Sequence, residues 1–158
     1  MIYISSSWKQ RERVRKLAIE LREHGYSVYD FTDPSCRSTP EIPPEKFPEP
    51  FDPDKHDYEA YLCKNPEWRA AVDCNREALD HTNMVVLLLP CGLDAHADAY
   101  YALGRGARLI ISGAPVAGER APVHLWASMM VATDDRVLDA VRQVAAWSGP
   151  IAESFIWK

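Results

Sequence analysis

The chain has 158 residues, 47% of them hydrophobic, and a formal net charge of −5. This size and composition suit one globular domain with a substantial core. The acidic balance argues against a nucleic-acid polymer as partner, because such surfaces need a basic patch, and no apolar run approaches the ~20 residues of a membrane span.

The first part of the chain predicts a strand, a helix and a second strand. Residues 2–4, "IYI", form a short apolar run that leads into the turn "SSSW". From Trp8 to His24, apolar residues recur at helical spacing with charges between them. The segment "YSVYDF" at 26–31 then has the β-branched and aromatic character of a strand.

A proline-rich segment at 33–53 follows, and with its flanks it holds most of the chain's twelve prolines. Proline removes amide donors and fixes the backbone, so neither a helix nor a central strand is expected. Spaced phenylalanines favour an ordered loop over a disordered linker, which is the alternative. Because the segment leaves the second strand, we expect it to fold over a site at that edge as a lid.

The second part of the chain repeats helix and strand. Residues 57–81 have a helical pattern broken at Pro66, and "MVVLLL" at 84–89 is typical of a strand buried on both faces. Next come a helix and the strand "RLIIS". They are followed by a short helical turn at "VHLW" and the strand "SMMVAT". Thr133 is placed to cap a final helix.

This alternation predicts an α/β fold: a flavodoxin-like, doubly wound, five-stranded and mostly parallel sheet in a single three-layer domain over 1–158. In such sheets ligands bind at the carboxyl ends of strands, where the winding reverses. With strand order 2-1-3-4-5 the reversal lies between the first and third strands. The loops at 5–8 and 90–96 should therefore meet at a site.

The first of these loops carries Ser5, Ser6, Ser7 and Trp8. Serine hydroxyls and amides at a helix N-terminus suit a sugar or phosphate, while helix capping is the alternative for any one of them. Trp8 suits stacking on a base or covering the first helix. We count all four as candidate substrate-binding residues.

The second loop and its helix carry Gly92, Asp94, His96 and Asp98. Gly92 allows a sharp turn and a close approach to a ligand, and Asp94 suits a helix N-cap or a substrate contact. His96 suits a contact to a carboxylate or phosphate, or a structural role. Asp98 suits a nucleophile or general base at a sugar carbon if it points into the cleft, and is a surface acid if it does not.

The cysteines predict no metal site. They form no C-x-x-C pair, and no cysteine–histidine set has zinc spacing: Cys36, Cys63, Cys74 and Cys91. Four free thiols and a start without signal-peptide features predict a cytoplasmic protein, and we expect no metal or other cofactor.

The segment "PCGLDAHADAYYALGRGARLII" resembles the nucleoside 2-deoxyribosyltransferase-like superfamily, especially its small bacterial and phage members, in which "PCGRSAHLELGWAVGAGK" is expected. The opening "IYISSSW", the strand "VYDF" and the ending "LW" to "TDDRVL" are also similar. TIR-type NAD-cleaving domains are distantly similar in layout. The resemblance implies a flavodoxin-like fold and cleavage or transfer of an N-glycosidic bond in a nucleoside, nucleotide or related compound.

The resemblance also assigns roles to residues. Asp98 takes the place of a glutamate that attacks the anomeric carbon, with His96 beside it in the catalytic set, and Asn75 joins the substrate-binding set. A homodimer or higher homo-oligomer is a further expectation. Asn75 and Asn83 stand where acids are expected, and Tyr100 where a glycine is expected. The alternative is therefore a catalytically degenerate nucleotide-binding, sensing or interaction module on the same fold.

Overall fold

The computed structural model describes residues 1–36, 52, 54–55, 57, 59–60, 66–117 and 122–147. Within them, five strands form one sheet: β1 Ile2–Ser5, β2 Val28–Asp30, β3 Met84–Leu88, β4 Arg108–Ser112 and β5 Met129–Val131. The strand order is β2-β1-β3-β4-β5, and every neighbouring pair is parallel. The flavodoxin-like α/β prediction is confirmed, including the order of the strands.

Four α-helices flank the sheet in the described residues: α1 Arg11–Glu23, α2 Pro66–Asp80, α3 Leu93–Gly104 and α4 Val137–Ala146. Short 3₁₀ turns occupy Trp8–Gln10, Pro34–Cys36, Pro122–Trp126 and Asp134–Arg136. The helix predicted from Trp8 thus begins with one 3₁₀ turn before it becomes α-helical. No helix in this part of the chain has both the length and the apolar character needed to cross a bilayer.

The two directions of winding place helices on both faces of the sheet. Parallel strands are joined by right-handed crossovers, so a connection from β1 outward to β2 and one from β3 outward to β4 lie on opposite faces. Helix α3 therefore covers one face and α1 the other. Side chains two apart in a strand point to one face, which gives Tyr3 and Ser5 of β1 a common side towards α3.

The central strand β3 explains why its sequence has no polar alternation. All five of its residues are buried, and Leu87 and Leu88 have no exposed surface. A strand covered by helices on both faces has no side that favours polar residues. The prediction that residues 84–89 lie at the centre of the sheet is confirmed.

Two local predictions fare differently. Thr133 is the N-cap of the 3₁₀ turn that leads into α4, as predicted, but its side chain makes no capping hydrogen bond there. The proposed lid at 33–53 falls mostly on residues 37–51 and 53, which lie outside the described part of the chain.

Candidate functional site at the carboxyl edge of the sheet

Asp98 is bound to two hydroxyls of β1. Ser5 Oγ donates to Asp98 Oδ2 at 3.0 Å, and Tyr3 Oη donates to the same oxygen at 3.1 Å. The carbonyl oxygen of Ala95, one turn earlier in α3, lies 3.3 Å from Ser5 Oγ and is a second, longer acceptor for the same proton. Both hydrogen bonds fix the same carboxylate oxygen, and among the described residues no donor reaches Asp98 Oδ1.

Burial changes the acidity of this carboxyl. Removal from water raises the pKa of Asp98 from its ordinary value of 3.8 to about 6, against the lowering effect of the hydrogen bonds from Ser5 and Tyr3. Asp94, one turn earlier, adds a smaller raising effect through its charge. An acid with a pKa near 6 changes its charge close to neutral pH, as nucleophiles and general acid–base groups often do.

The phenol beside Asp98 is held by a second tyrosine. Tyr3 and Tyr29 are register partners in β1 and β2, and their rings stack with centroids 5.1 Å apart and planes 13° apart. The hydroxyl of Tyr29 donates to Asn75 Oδ1 of α2 at 2.8 Å. Burial, followed by the charge of Asp98, raises the pKa of Tyr3 well above 10.0, so its hydroxyl remains a donor. Asn75 is thus linked to Tyr3 and Asp98 by its hydrogen bond with Tyr29.

The three serines have different partners. Ser5 faces the acid as described, whereas Ser6 Oγ donates to the carbonyl oxygen of Leu88 at the end of β3, at 3.1 Å. Ser7 Oγ accepts from the amide of Lys9 at 3.3 Å and is the N-cap of the 3₁₀ turn. The capping alternative therefore applies to Ser7, and Ser5 is the serine in contact with the candidate catalytic acid.

His96 and Asp98 lie on different sides of α3, because residues two apart on a helix do not share a face. His96 Nδ1 lies 2.9 Å from the carbonyl oxygen of Gly92, and its Nε2 lies 3.2 Å from Nε2 of His124. Cys91 Sγ is 3.5 Å from His96 Nδ1. These contacts give His96 a partner in the Pro122–Trp126 turn, while Asp98 is in contact with β1.

The remaining predicted residues lie around these two groups. Gly92 is the N-cap of α3, and Asp94 is inside its first turn, so the predicted N-cap role of Asp94 was wrong. Trp8 packs edge-on against Phe31, with ring centroids 5.4 Å apart. Tyr100 packs edge-on against the half-exposed Trp126. That all the predicted residues surround one cavity stays a prediction.

A cleft of about 410 Å³ lies at the opposite edge of the sheet. Its lining includes Ile2, Met84 and Arg108, which are the first residues of β1, β3 and β4. Asp98 and Ser5 are at the carboxyl ends of the strands and do not contribute to this cleft. We place the candidate site at the carboxyl edge because the perturbed acid and its donors are there.

Metal chemistry has no candidate centre in the described ranges: no group of three or more histidine, cysteine, aspartate or glutamate side chains among them could hold a metal ion. Cys74 and Cys91 are free thiols.

Two contacts of the site were not expected from sequence. Tyr3 was read only as part of an apolar strand, although its two-residue spacing from Ser5 places both on one face. The sequence predicts His124 only as part of a short helix, and no local pattern links it to His96, 28 residues away.

The chain was compared with family models, with curated proteins and with solved structures, and none of the three comparisons finds a match.

Proposed function

We propose that this protein cleaves or transfers the N-glycosidic bond of a nucleoside, nucleotide or related compound, with Asp98 as the reacting carboxylate. The observation that carries the proposal is the environment of Asp98. Its Oδ2 accepts from Ser5 and Tyr3, and its Oδ1 accepts from no described donor. A carboxylate held by one oxygen presents the other in a fixed direction, as attack on an anomeric carbon requires.

In this mechanism Oδ1 of Asp98 attacks the anomeric carbon, or stabilises the positive charge that develops there, while the bond from that carbon to the base breaks. Water in hydrolysis, or a second base in transfer, then displaces Asp98 from the sugar. Tyr3 and Ser5 keep the carboxylate oriented. Their hydrogen bonds oppose the raising effect of burial, which keeps the pKa of Asp98 near 6 and its ionised form available at neutral pH. The resemblance of the sequence around Asp98 to deoxyribosyltransferase-like proteins supports the same chemistry.

The test is release of free base, measured by chromatography, from a panel of nucleosides, nucleotides and NAD. Asp98→Asn should reduce base release by ~10³-fold or more, because it removes a nucleophile and not only a contact. Asp139→Asn, at an exposed position on α4, is the control and should retain activity. Asp98→Glu restores the longer acid of the resembling family, and we expect it to increase activity on a deoxynucleoside. Wild-type rates in Asp98→Asn would contradict the assignment.

The second candidate is a nucleotide-binding or sensing module without catalysis. It is favoured by one observation: a predicted substrate-binding residue, Asn75, and a predicted catalytic residue, His96, both have partners within the protein. Asn75 Oδ1 accepts from Tyr29, and His96 contacts Gly92 and His124. Nucleotide binding by calorimetry, without base release from any variant, would favour this function over the first.

The proposed ligand is thus a small molecule and not a nucleic-acid polymer, in keeping with the net charge of −5. A cytoplasmic location and a homo-oligomeric assembly are proposals from sequence. Sedimentation of the purified protein would measure the assembly directly.

A further inference from the structure

Arg13, in the first turn of α1, connects this helix to the residue after β3 and to the turn before α4. Its Nε and Nη2 donate to the two oxygens of Asp134, at 2.5 and 2.7 Å, in a bidentate pair. Its Nη1 donates to the carbonyl oxygen of Leu89 at 2.6 Å, directly after β3. Such a planar fork fixes geometry more strictly than a single charge contact does.

Gln10, the N-cap of α1, binds the next backbone carbonyl, that of Pro90. Gln10 Oε1 accepts from Arg13 Nη1 at 2.6 Å, and Gln10 Nε2 donates to the carbonyl oxygen of Pro90. The carbonyl oxygens of Leu89 and Pro90, the two residues before Cys91, are therefore bound by side chains at the start of α1. Gly92 is the N-cap of α3, so these contacts fix the place where α3 begins.

The end of β4 closes the arrangement from the other side. Ser112 Oγ donates to Asp134 Oδ1 at 2.6 Å, and the carbonyl oxygen of Ser112 accepts from the amide of Leu89 at 2.8 Å. The next residue is Gly113, where an added Cβ would lie 2.6 Å from the carbonyl oxygen of Leu89 and 3.3 Å from Arg13 Nη2. The chain is thus packed closely around the contact between Arg13 and Leu89.

We propose that Arg13 is a positioning residue for the carboxylate of Asp98: by holding Leu89 it fixes the turn that starts α3, and so the distance from α3 to Ser5. The inference rests on the proposed function. A shift of α3 by about 1 Å would break a 3.0 Å hydrogen bond, and misplacement of this size costs on the order of 10²-fold in rate.

A purely structural role makes a different prediction. Replacing Arg13 alone leaves Asp134 partly buried without its cation, which destabilises the protein whatever happens at Asp98. Replacing both members of the pair by apolar residues removes the unpaired charge, although the buried Ser112 Oγ then loses its acceptor. Neither replacement restores a donor to Leu89. Stability and positioning are therefore separable in the double variant Arg13→Met with Asp134→Leu.

The experiment compares wild type, Arg13→Met, the double variant and the control Arg11→Met, whose arginine makes an exposed ion pair with Glu12 and no other ion pair among the described residues. We expect kcat for base release to fall at least about tenfold in Arg13→Met, with KM changed less than about threefold. In the double variant the melting temperature should recover in part, because the unpaired charge is gone, and kcat should remain low. Recovery of kcat together with the melting temperature would overturn the proposal.

A second measurement does not need activity. Titration of the Asp98 side chain, followed by carbon NMR of the carboxyl group, should differ between Arg13→Met and Arg11→Met. An unchanged titration in Arg13→Met would overturn the positioning role. A wild-type protein that releases no base, but whose Asp98 titration depends on Arg13, would contradict only the proposed function.

Discussion

Ser5 and Asp98 lie 93 positions apart in the chain, and the hydroxyl of one donates to the carboxylate of the other at 3.0 Å. The bond joins the last residue of β1 to the second turn of α3, across the point where the winding of the sheet reverses. Two hydroxyls and a partly buried acid in this place have consequences for stability as well as for chemistry.

The first prediction is that the ionised form of Asp98 lowers the free energy of unfolding at neutral pH. Its pKa is 3.8 in an ordinary environment and about 6 in the folded protein, so the folded state binds the proton more tightly. The group therefore favours folding below about pH 4 and loses that contribution as the pH rises through 6. Asp98→Asn should be more stable than wild type by up to about 3 kcal/mol above pH 7, and similar to it near pH 4.

Urea unfolding at several pH values measures this difference. Asp139→Asn is the control, because Asp139 is an exposed acid of α4 in a surface ion pair with Arg142, and its loss should change the free energy of unfolding by less than ~0.5 kcal/mol. A stability difference for Asp98→Asn that does not depend on pH would show that the carboxyl is not held in an unfavourable environment.

The second prediction concerns the donors to Asp98. Tyr3→Phe or Ser5→Ala removes a hydrogen bond to the charged form, so each should raise the pKa of Asp98 above about 6. Carbon NMR of the carboxyl group measures the shift. Tyr101→Phe is the control, because that hydroxyl donates to Asp80 at a separate surface position. A pKa that falls in both variants would mean that the hydroxyls do not stabilise the carboxylate.

The third prediction concerns the protons of His96 and His124 when both rings are neutral. His96 Nδ1 lies 2.9 Å from a carbonyl oxygen, which only accepts, so the proton of His96 belongs on Nδ1. Its Nε2 is then an acceptor, and His124 must donate from Nε2 across 3.2 Å. Nitrogen NMR should find these two tautomers, and His124→Phe should leave His96 as the same tautomer. A proton on Nε2 of His96 would contradict the described contacts.

The fold was predictable because its signals are local and repeated. The unbroken apolar run of β3 indicates a strand covered on both sides, and helical spacing before and after it indicates crossovers. Right-handed connections then leave few arrangements of the strands. The fold places the loops after β1 and β3 side by side, so the sequence predicts that Ser5 and the start of α3, with Asp98, lie near each other.

The partners of the site residues were less predictable, because they depend on contacts between distant segments. Asp134 directly follows Thr133, which the sequence predicts as a helix cap, and its carboxylate binds Arg13, 121 positions away. Although burial raises its pKa, the hydrogen bonds from Arg13 and Ser112 leave the pKa of Asp134 below 3.8. Nothing in the local sequence of either segment indicates that they meet.

The last prediction tests the close packing around Leu89. Gly113 has φ +92°, a conformation that residues with a side chain rarely adopt, and an added Cβ would lie 2.6 Å from the carbonyl oxygen of Leu89. Gly113→Ala should therefore destabilise the protein by ~1–3 kcal/mol, measured by urea unfolding. The backbone oxygen has little room to move, because Arg13 binds it at 2.6 Å.

Gly104→Ala is the matched control for this change. Gly104 is the final residue of α3, has no positive φ, and has no heavy atom within 4 Å of an added Cβ. Alanine there should be neutral or stabilise the helix by up to ~1 kcal/mol. If Gly113→Ala is as stable as Gly104→Ala, the turn after β4 is not packed against Leu89 as described. The proposal that Arg13 fixes the start of α3 through Leu89 would then be weakened.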